Sequence, residues 1–418
     1  MSEIENPSSE HVETSGRRQD SVLVDQVADW LIRRALGESD LSTLMAGCCD
    51  RLYAAGIPIR RAHTAFRTLH PLLWAMGLRW ERGEGVESLG FRHDESPELW
   101  QRTPHYFMMQ SGIQSLRRRL VGPEALLDFD LLRELQVQGY TDYFAFVEAF
   151  DDAGQDGVVG SWATDRPSGF SDGDLRALAR IQQRLAVAFK VAIREQIARN
   201  VVDAYLGPEA GRQVLNGYIQ RGDHESIHAV IWYGDLRHST HLSETISPAA
   251  YLGMLNSYFD CTAGAVLEEG GEVLLLLGDA VLAIFRTGGQ DGDARSAAAR
   301  ALAAAEEAER RMRALNAGRA QRDEPVLEFG VGLHVGDVMY GNIGVPERLQ
   351  FTVIGSAVNE VARLEGLTKE LDRPLLVSRA FADLCPRPWS SLGSYPRPGV
   401  PEPLEVLAPA EEAGEVGA

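Results

Sequence analysis

From Ser171 the segment SDGDLRALARIQQRLAVAFKVAIREQIARNVVDAYLG repeats its apolar residues at spacings of three and four, with Ser or Asp to cap the start and Gly207 to end it. That pattern specifies about nine unbroken helical turns. Leu175, Leu178, Ile181, Leu185, Val187, Phe189, Val191, Ile193 and Ile197 form a broad apolar face, which fits two arrangements. Either the helix packs on its own domain, or it pairs in parallel with a second copy and carries a signal onward. In both cases it connects two stretches of different pattern, and a length of 418 residues suits two domains.

Before the connector, VLVDQVADWLIRRAL and the region around LSTLMAGCCDRLYAAG read as two helices. WAMGLRWERG, GVESLGF, DYFAFVEAF and GVVGSWATD then alternate apolar and polar residues between Gly, Pro and Asp breaks, as in an antiparallel sheet. Helices followed by strands imply an α+β domain. After Gly207, HAVIWYGDL, GEVLLLLGDAVLAIF, FGVGLHVGDVMYG, LQFTVIG and RPLLVS alternate with helical segments, the outline of a mixed sheet flanked by helices. The expected divisions are a disordered arm over 1–20, a first domain over 21–170, the connector over 171–206, a second domain over 207–408 and an acidic tail over 409–418.

A net charge of −19 argues against nucleic acid or an anionic membrane as a partner, because either needs clustered Lys and Arg. No stretch approaches 18 uncharged apolar residues, and the polar start MSEIENPSSEHVETSGRRQD lacks the core of a secretion signal. A cytoplasmic protein is expected. Cys48, Cys49, Cys261 and Cys385 have no metal-ligand spacing and read as reduced, buried thiols.

Two acidic residues bear on chemistry. Asp235 ends the apolar strand HAVIWYG, and Asp279 sits with Gly278 at the turn between two β-rich runs. Each taken singly is an ordinary turn Asp. Together, at neighbouring strand ends, they can bridge a pair of hard cations such as Mg²⁺.

The runs VIWYGDLRHSTHLSE and EEGGEVLLLLGDAVLAIF resemble the two metal motifs of class III adenylyl and guanylyl cyclases. FGVGLHVGDVMYGNIGVPERLQFTVIGSAVNEVARLEGLTK is similar to the rest of that signature, in the same order, over roughly Ile227 to Leu407. The resemblance implies a mixed sheet flanked by helices and a homodimer with active sites at the interface. It implies that Asp235 and Asp279, with the backbone carbonyl of Leu236, hold two Mg²⁺ or Mn²⁺ ions per site. Asn359 would orient the ribose, and Arg363 would stabilise charge on the α-phosphate while ATP is converted to 3′,5′-cyclic AMP and pyrophosphate. Asn359 and Arg363 are four apart, on one helix face.

The family's base selection rests on two side chains. Thr352 fills one slot in the manner of adenylyl cyclases, but Leu275 stands where a base-reading Lys is usual and cannot hydrogen-bond to a purine. The implied function is an adenylate cyclase in intracellular signalling. A cyclase of relaxed or GTP specificity and a catalytically silent nucleotide-binding module remain alternatives. Arg397, in YPRPGVPEPLEV, is the candidate for the γ-phosphate contact, displaced by one position from the usual pattern. The N-terminal region resembles, in GIPIRRAHTAFRTLHPLLWAMGLRWERG, GYTDYFAF and WATDRPSGFSDGDL, the segment preceding cyclase domains in many proteobacterial proteins, and its α+β order is GAF-like. It would receive a small-molecule or protein signal. His63 and His70, seven apart, read as core or cap residues, with a shared helix face as the other possibility.

Overall fold

The structure is a computed structural model that describes residues 10–37, 40–94, 98–151, 156–288, 292–397 and 400–410, with the side chains of 10–21 and 397–401 outside that description. The chain divides into two units, Met1–Ala204 and Tyr205–Ala418. Among the described residues no helix is long and apolar enough to cross a membrane.

The first unit begins with helices α1 (Glu10–Ala35) and α2 (Leu41–Ala54), the latter capped where Asp40 Oδ1 accepts the Thr43 amide at 3.0 Å. Helix therefore starts at Glu10, within the arm expected to be disordered; Glu, Gln and Arg are good helix formers despite their polarity. Strands β1 (Arg61–Arg67), β2 (Leu73–Glu81) and β3 (Gly85–Arg92) follow, then α3 (Glu98–Gln101), α4 (Pro104–Ser111), β4 (Ser115–Arg119), α5 (Asp130–Val137), β5 (Asp142–Ala149) and β6 (Gly157–Thr164). The strands form an antiparallel sheet in the order β3-β2-β1-β6-β5-β4. Alternation along the strands puts Ala62, Phe66, Leu78, Trp80, Phe144, Phe146 and Trp162 into one core with α1, α2 and the connector, and Tyr143, Ala145 and Ala163 into another with α4 and α5.

The connector is α6 (Asp172–Leu206). Ser171 Oγ accepts the Asp174 amide at 3.2 Å and the Ser171 amide donates to Asp174 Oδ2 at 2.7 Å, a reciprocal cap. Leu178, Ile181, Leu185, Ala188, Phe189, Ala192 and Ile193 pack into the first unit's own core. Val187, Val191, Val201 and Tyr205 are exposed, so a second apolar stripe remains on the helix.

His63 and His70 share no helix. His63 lies on β1 and His70 in the loop before β2, because the alternation of RAHTAFR favours a strand and Pro71 follows His70. His63 instead faces His105 of α4, ring centroids 6.0 Å apart, and His105 Nε2 is 2.9 Å from the Gly160 carbonyl oxygen. Burial lowers both, His63 to about 3 with His105, Arg61 and Arg79 adding to the effect, and His105 to about 4. Both are thus neutral in the fold at a pH where the unfolded chain takes up their protons. The sign is fixed: stability falls as pH drops below about 6.5, until the folded state itself protonates. Unfolding free energies from urea titrations between pH 7 and 4.5 are expected to decline by up to about 1.4 kcal/mol per pH unit per histidine. A His105→Gln variant should show a shallower decline, and an identical slope in that variant would contradict this account.

The second unit continues with α7 (Pro208–Leu215), β7 (His224–Leu236), α8 (Ser239–Thr245), α9 (Pro248–Cys261), α10 (Ala263–Glu268), β8 (Glu272–Leu277), β9 (Ala280–Arg286) and α11 (Ala294–Gln321). It ends with β10 (Phe329–Val345), β11 (Arg348–Ile354), α12 (Ser356–Glu370), β12 (Leu375–Ser378), α13 (Arg379–Ala382), β13 (Trp389–Arg397) and β14 (Val400–Pro409). These strands form a mixed sheet, β13-β14-β12-β10-β7-β9-β8, with β11 paired to β10 and the β10–β12 contact parallel. On β7 the side chains of Val230, Trp232 and Leu236 enter a core with α9, α10 and α11, while Ala229 and Ile231 face the opposite core with Val361 of α12. Ala297, Ala301, Ala304 and Ala308 let α11 lie close to the sheet.

The seat of α12 is cut by glycines on β10. A Cβ on Gly332 would fall 2.7 Å from the Val361 carbonyl oxygen, and one on Gly330 would fall 2.0 Å from Thr368 Oγ1. Backbone and helix meet where no side chain can stand.

Candidate active site

Asp235 is the penultimate residue of β7 and shares the parity of Ile231 and Tyr233, so it faces the α12 side of the sheet. The chain then turns sharply at His238 (φ 60°) into α8. Asp279 occupies the two-residue turn between β8 and β9, after Gly278 with φ 65° and beside the Leu277–Ala280 pair. Because β9 pairs with β7, this turn lies at the sheet end where Asp235 sits, and Asp279 pushes the Asp235 carboxyl upward. Burial raises Asp235 most, and Lys369, whose Nζ donates to Asp235 Oδ2 at 3.1 Å, opposes it. Leu236, buried in the core by its side chain, follows at the strand end.

The donor set suits a hard divalent cation. Asp279 Oδ2 is buried with no hydrogen-bond partner, and Asp235 answers one ammonium, so the two carboxylates present oxygen atoms and unbalanced charge at one spot. Among the described residues no three or more His, Cys, Asp or Glu side chains form a self-contained cage. Two carboxylates with substrate phosphates and water are the usual Mg²⁺ arrangement.

Helix α12 carries the remaining groups on two sides. Glu365 and Lys369, one turn apart, lie against Asp235. Arg363 is two residues before Glu365 and therefore about 200° around the helix. It is exposed with Asn359, and neither has an ion-pair or hydrogen-bond partner among the described residues. The chain thus holds the Asp pair on one side of α12 and the Asn359/Arg363 pair on the other.

Thr352 of β11 is 8% exposed, and its Oγ1 has no partner. An orphaned hydroxyl in an apolar setting is costly unless something arrives to bond it. Leu275 of β8, just past an irregularity in the β8–β9 ladder, packs beside the cluster that includes Phe351 and Val353 on either side of Thr352. Arg397 ends β13 with its backbone paired to Val400; its side chain lies outside the described residues.

Three groups here escaped sequence reasoning. Glu365 is 5% exposed with an unpartnered Oε1, and burial followed by the Asp235 charge lifts it to about 7. Lys369 is pulled down by burial, but its bond to Asp235 and the nearby acids outweigh that and leave it raised. Arg237 donates Nη2 to the carbonyls of Thr368 and Arg373 at 3.0 and 3.1 Å, fastening the end of β7 to the end of α12. Only the four-residue spacing of Glu365 and Lys369 hinted at a shared face.

The second unit thus combines a mixed sheet, a carboxylate pair at adjacent strand ends, and an overlying helix with an exposed Asn/Arg pair. Residues 222–377 match the family described as Adenylate and Guanylate cyclase catalytic domain, and this C-terminal unit belongs to that class III cyclase family. An adenylate cyclase from Anabaena cylindrica is 28% identical over 229 residues, which cover 52% of this chain and 44% of that protein. Adenylate cyclase 1 of Rhizobium meliloti (strain 1021) is 32% identical over 153 residues, 37% of this chain and 23% of that protein. The chain thus spans less than half the length of these curated relatives. A crystal structure of the guanylyl cyclase Cya2 is 27% identical with a TM-score of 0.39, covering 47% of this chain and 98% of that one.

Proposed function

We propose that the second unit is an adenylate cyclase, converting ATP to 3′,5′-cyclic AMP and pyrophosphate at sites shared between two copies. The observation that carries this reading is the division of α12: Asp235 and Asp279 lie on one side, while Asn359 and Arg363 stand free on the other. A second copy turned head to tail would bring the free pair of one protomer to the Asp pair of the other. Leu276, Leu277, Met339, Val345 and Ile354 are exposed apolar residues on the β8–β9 and β10–β11 hairpins, a surface suited to such pairing.

Asp235, Asp279 and the Leu236 carbonyl would hold two Mg²⁺ or Mn²⁺ ions. Ions held there would supply a lowered pKa at the ribose 3′-hydroxyl and positive charge for the departing pyrophosphate. Asn359 fixes the ribose by hydrogen bonding, so that its 3′-oxygen lies in line with the α-phosphorus. Arg363, unpaired beforehand, meets the charge that grows on the α-phosphate oxygens. Arg397 would take the γ-phosphate. Thr352 accepts the adenine amino group, which satisfies its orphaned hydroxyl and favours ATP; two curated relatives named adenylate cyclases agree with that choice.

The test is incubation of the purified chain with Mn²⁺ and either nucleotide, followed by assay of cyclic product and pyrophosphate. Turnover of ATP above GTP supports the reading; binding of either nucleotide without turnover of both supports a silent module. Leu275→Lys restores a base-reading donor and is expected to raise the ATP over GTP ratio of kcat/KM by about 5- to 150-fold, the effect of about 1–3 kcal/mol from one buried hydrogen bond. An unchanged ratio would remove Leu275 from the base pocket. For the first unit, the antiparallel sheet with helices on both faces supports a GAF-like regulatory module. Its input would shift how two catalytic units meet, in a cytoplasmic signalling protein.

A further inference from the structure

The first unit contains a cavity of about 470 Å³ between α5 and the start of β1 and end of β2. Metabolite-sized ligands occupy cavities of this scale. Arg60, Arg61 and Arg79 line it together with Glu81, Glu134 and Gln138, and Leu131, Leu135 and the ring of Tyr140 form an apolar wall. Three guanidinium groups against two carboxylates leave this cavity net positive in a chain whose net charge is −19.

Their partners are unequal. Arg79 is paired with Glu87 on β3. Arg60 stacks over the Tyr140 ring at 4.9 Å and reaches Asp165 only at 3.8 Å. Arg61 has no hydrogen-bond or ion-pair partner among the described residues, although Glu81 stands directly across the ladder from it. The reason is that Glu81 accepts the Tyr140 hydroxyl instead. A half-buried guanidinium left without an acceptor, facing a cavity that other arginines share, lacks the oxyanion its planar fork is shaped to bind.

We propose that this cavity binds a small organic oxyanion, a carboxylate or a phosphate ester, with Arg61 as the primary contact, Arg60 and Arg79 supporting charge, and the Leu131/Leu135/Tyr140 wall covering the carbon skeleton. The site lies wholly within the first unit and stands independently of the cyclase reading. It would give the regulatory module a metabolite input.

Isothermal titration calorimetry of the full chain in EDTA, which silences metal-dependent nucleotide binding, tests this with inorganic phosphate, succinate and uncharged succinamide. Saturable binding of phosphate, succinate or both is expected, and none of succinamide. Phosphate alone would assign a phosphoryl ligand, succinate alone a carboxylate. Arg61→Gln should weaken binding at least about tenfold, while Arg92→Gln, at a surface position paired with Asp94, should leave it unchanged. If circular dichroism shows Arg61→Gln unfolded, Arg61→Lys keeps the charge, loses the fork, and should show the same loss. No saturable heat with either oxyanion, equal binding of succinamide, or binding indifferent to both Arg61 variants would overturn the proposal.

Discussion

Mixed one to one, Asp279→Ala and Arg363→Ala chains are expected to recover about a quarter of wild-type cyclase activity, although each alone falls by about a thousandfold or more. The fraction follows from random pairing: half the dimers are mixed, and each mixed dimer has one intact site of two. Asp279 is a turn residue with an unpartnered oxygen, and Arg363 is an exposed helix residue without partners, so neither truncation removes a bond that holds the fold. Cyclic nucleotide formed per mole of protein gives the readout, with circular dichroism to verify that both variants fold. If the folded variants show no recovery on mixing, the Asp pair and Arg363 do not meet across a dimer, and the shared-site reading fails.

Asp142→Ala should lower the stability of the first unit by about 3–5 kcal/mol, the cost of stranding buried charge. Asp142 is 0% exposed. Its Oδ2 accepts Arg117 Nη2 at 2.7 Å, Arg119 Nη1 at 3.3 Å and the Phe170 amide at 2.9 Å. Arg117 also donates to the Phe170 carbonyl at 2.7 Å, so one carboxylate ties β4 and β5 to the residues that lead into α6. Removing it leaves two arginines, 32% and 21% exposed, and a backbone amide without their acceptor. Urea unfolding monitored by tryptophan fluorescence would measure the loss. A change within about 0.5 kcal/mol, the size of an ordinary surface substitution, would show the network to be dispensable.

The parts legible in advance were those written in local pattern. Strand alternation in GVESLGF and DYFAFVEAF, the caps of the connector and the Gly278-Asp279 turn each depend on neighbours within a few residues. The connector's two arrangements could not be separated that way, because its periodicity states which face is apolar and not what covers it. For His63 and His70 the structure removes the lesser alternative, a shared helix face, because the segment around His63 is a strand.

By itself the sequence determined the α+β class of each unit, and it marked Asp235, Asp279, Asn359 and Arg363 as candidates. Only the tertiary structure decided that α12 separates those pairs, that Lys369 reaches back 134 positions to Asp235, and that Glu365 is buried beside it. It also decided that Glu81 turns to Tyr140 and leaves Arg61 without an acceptor. Side-chain periodicity is set by the geometry of one helix or strand. A choice of partner is set by which elements pack together, and by which of several nearby groups wins the contact.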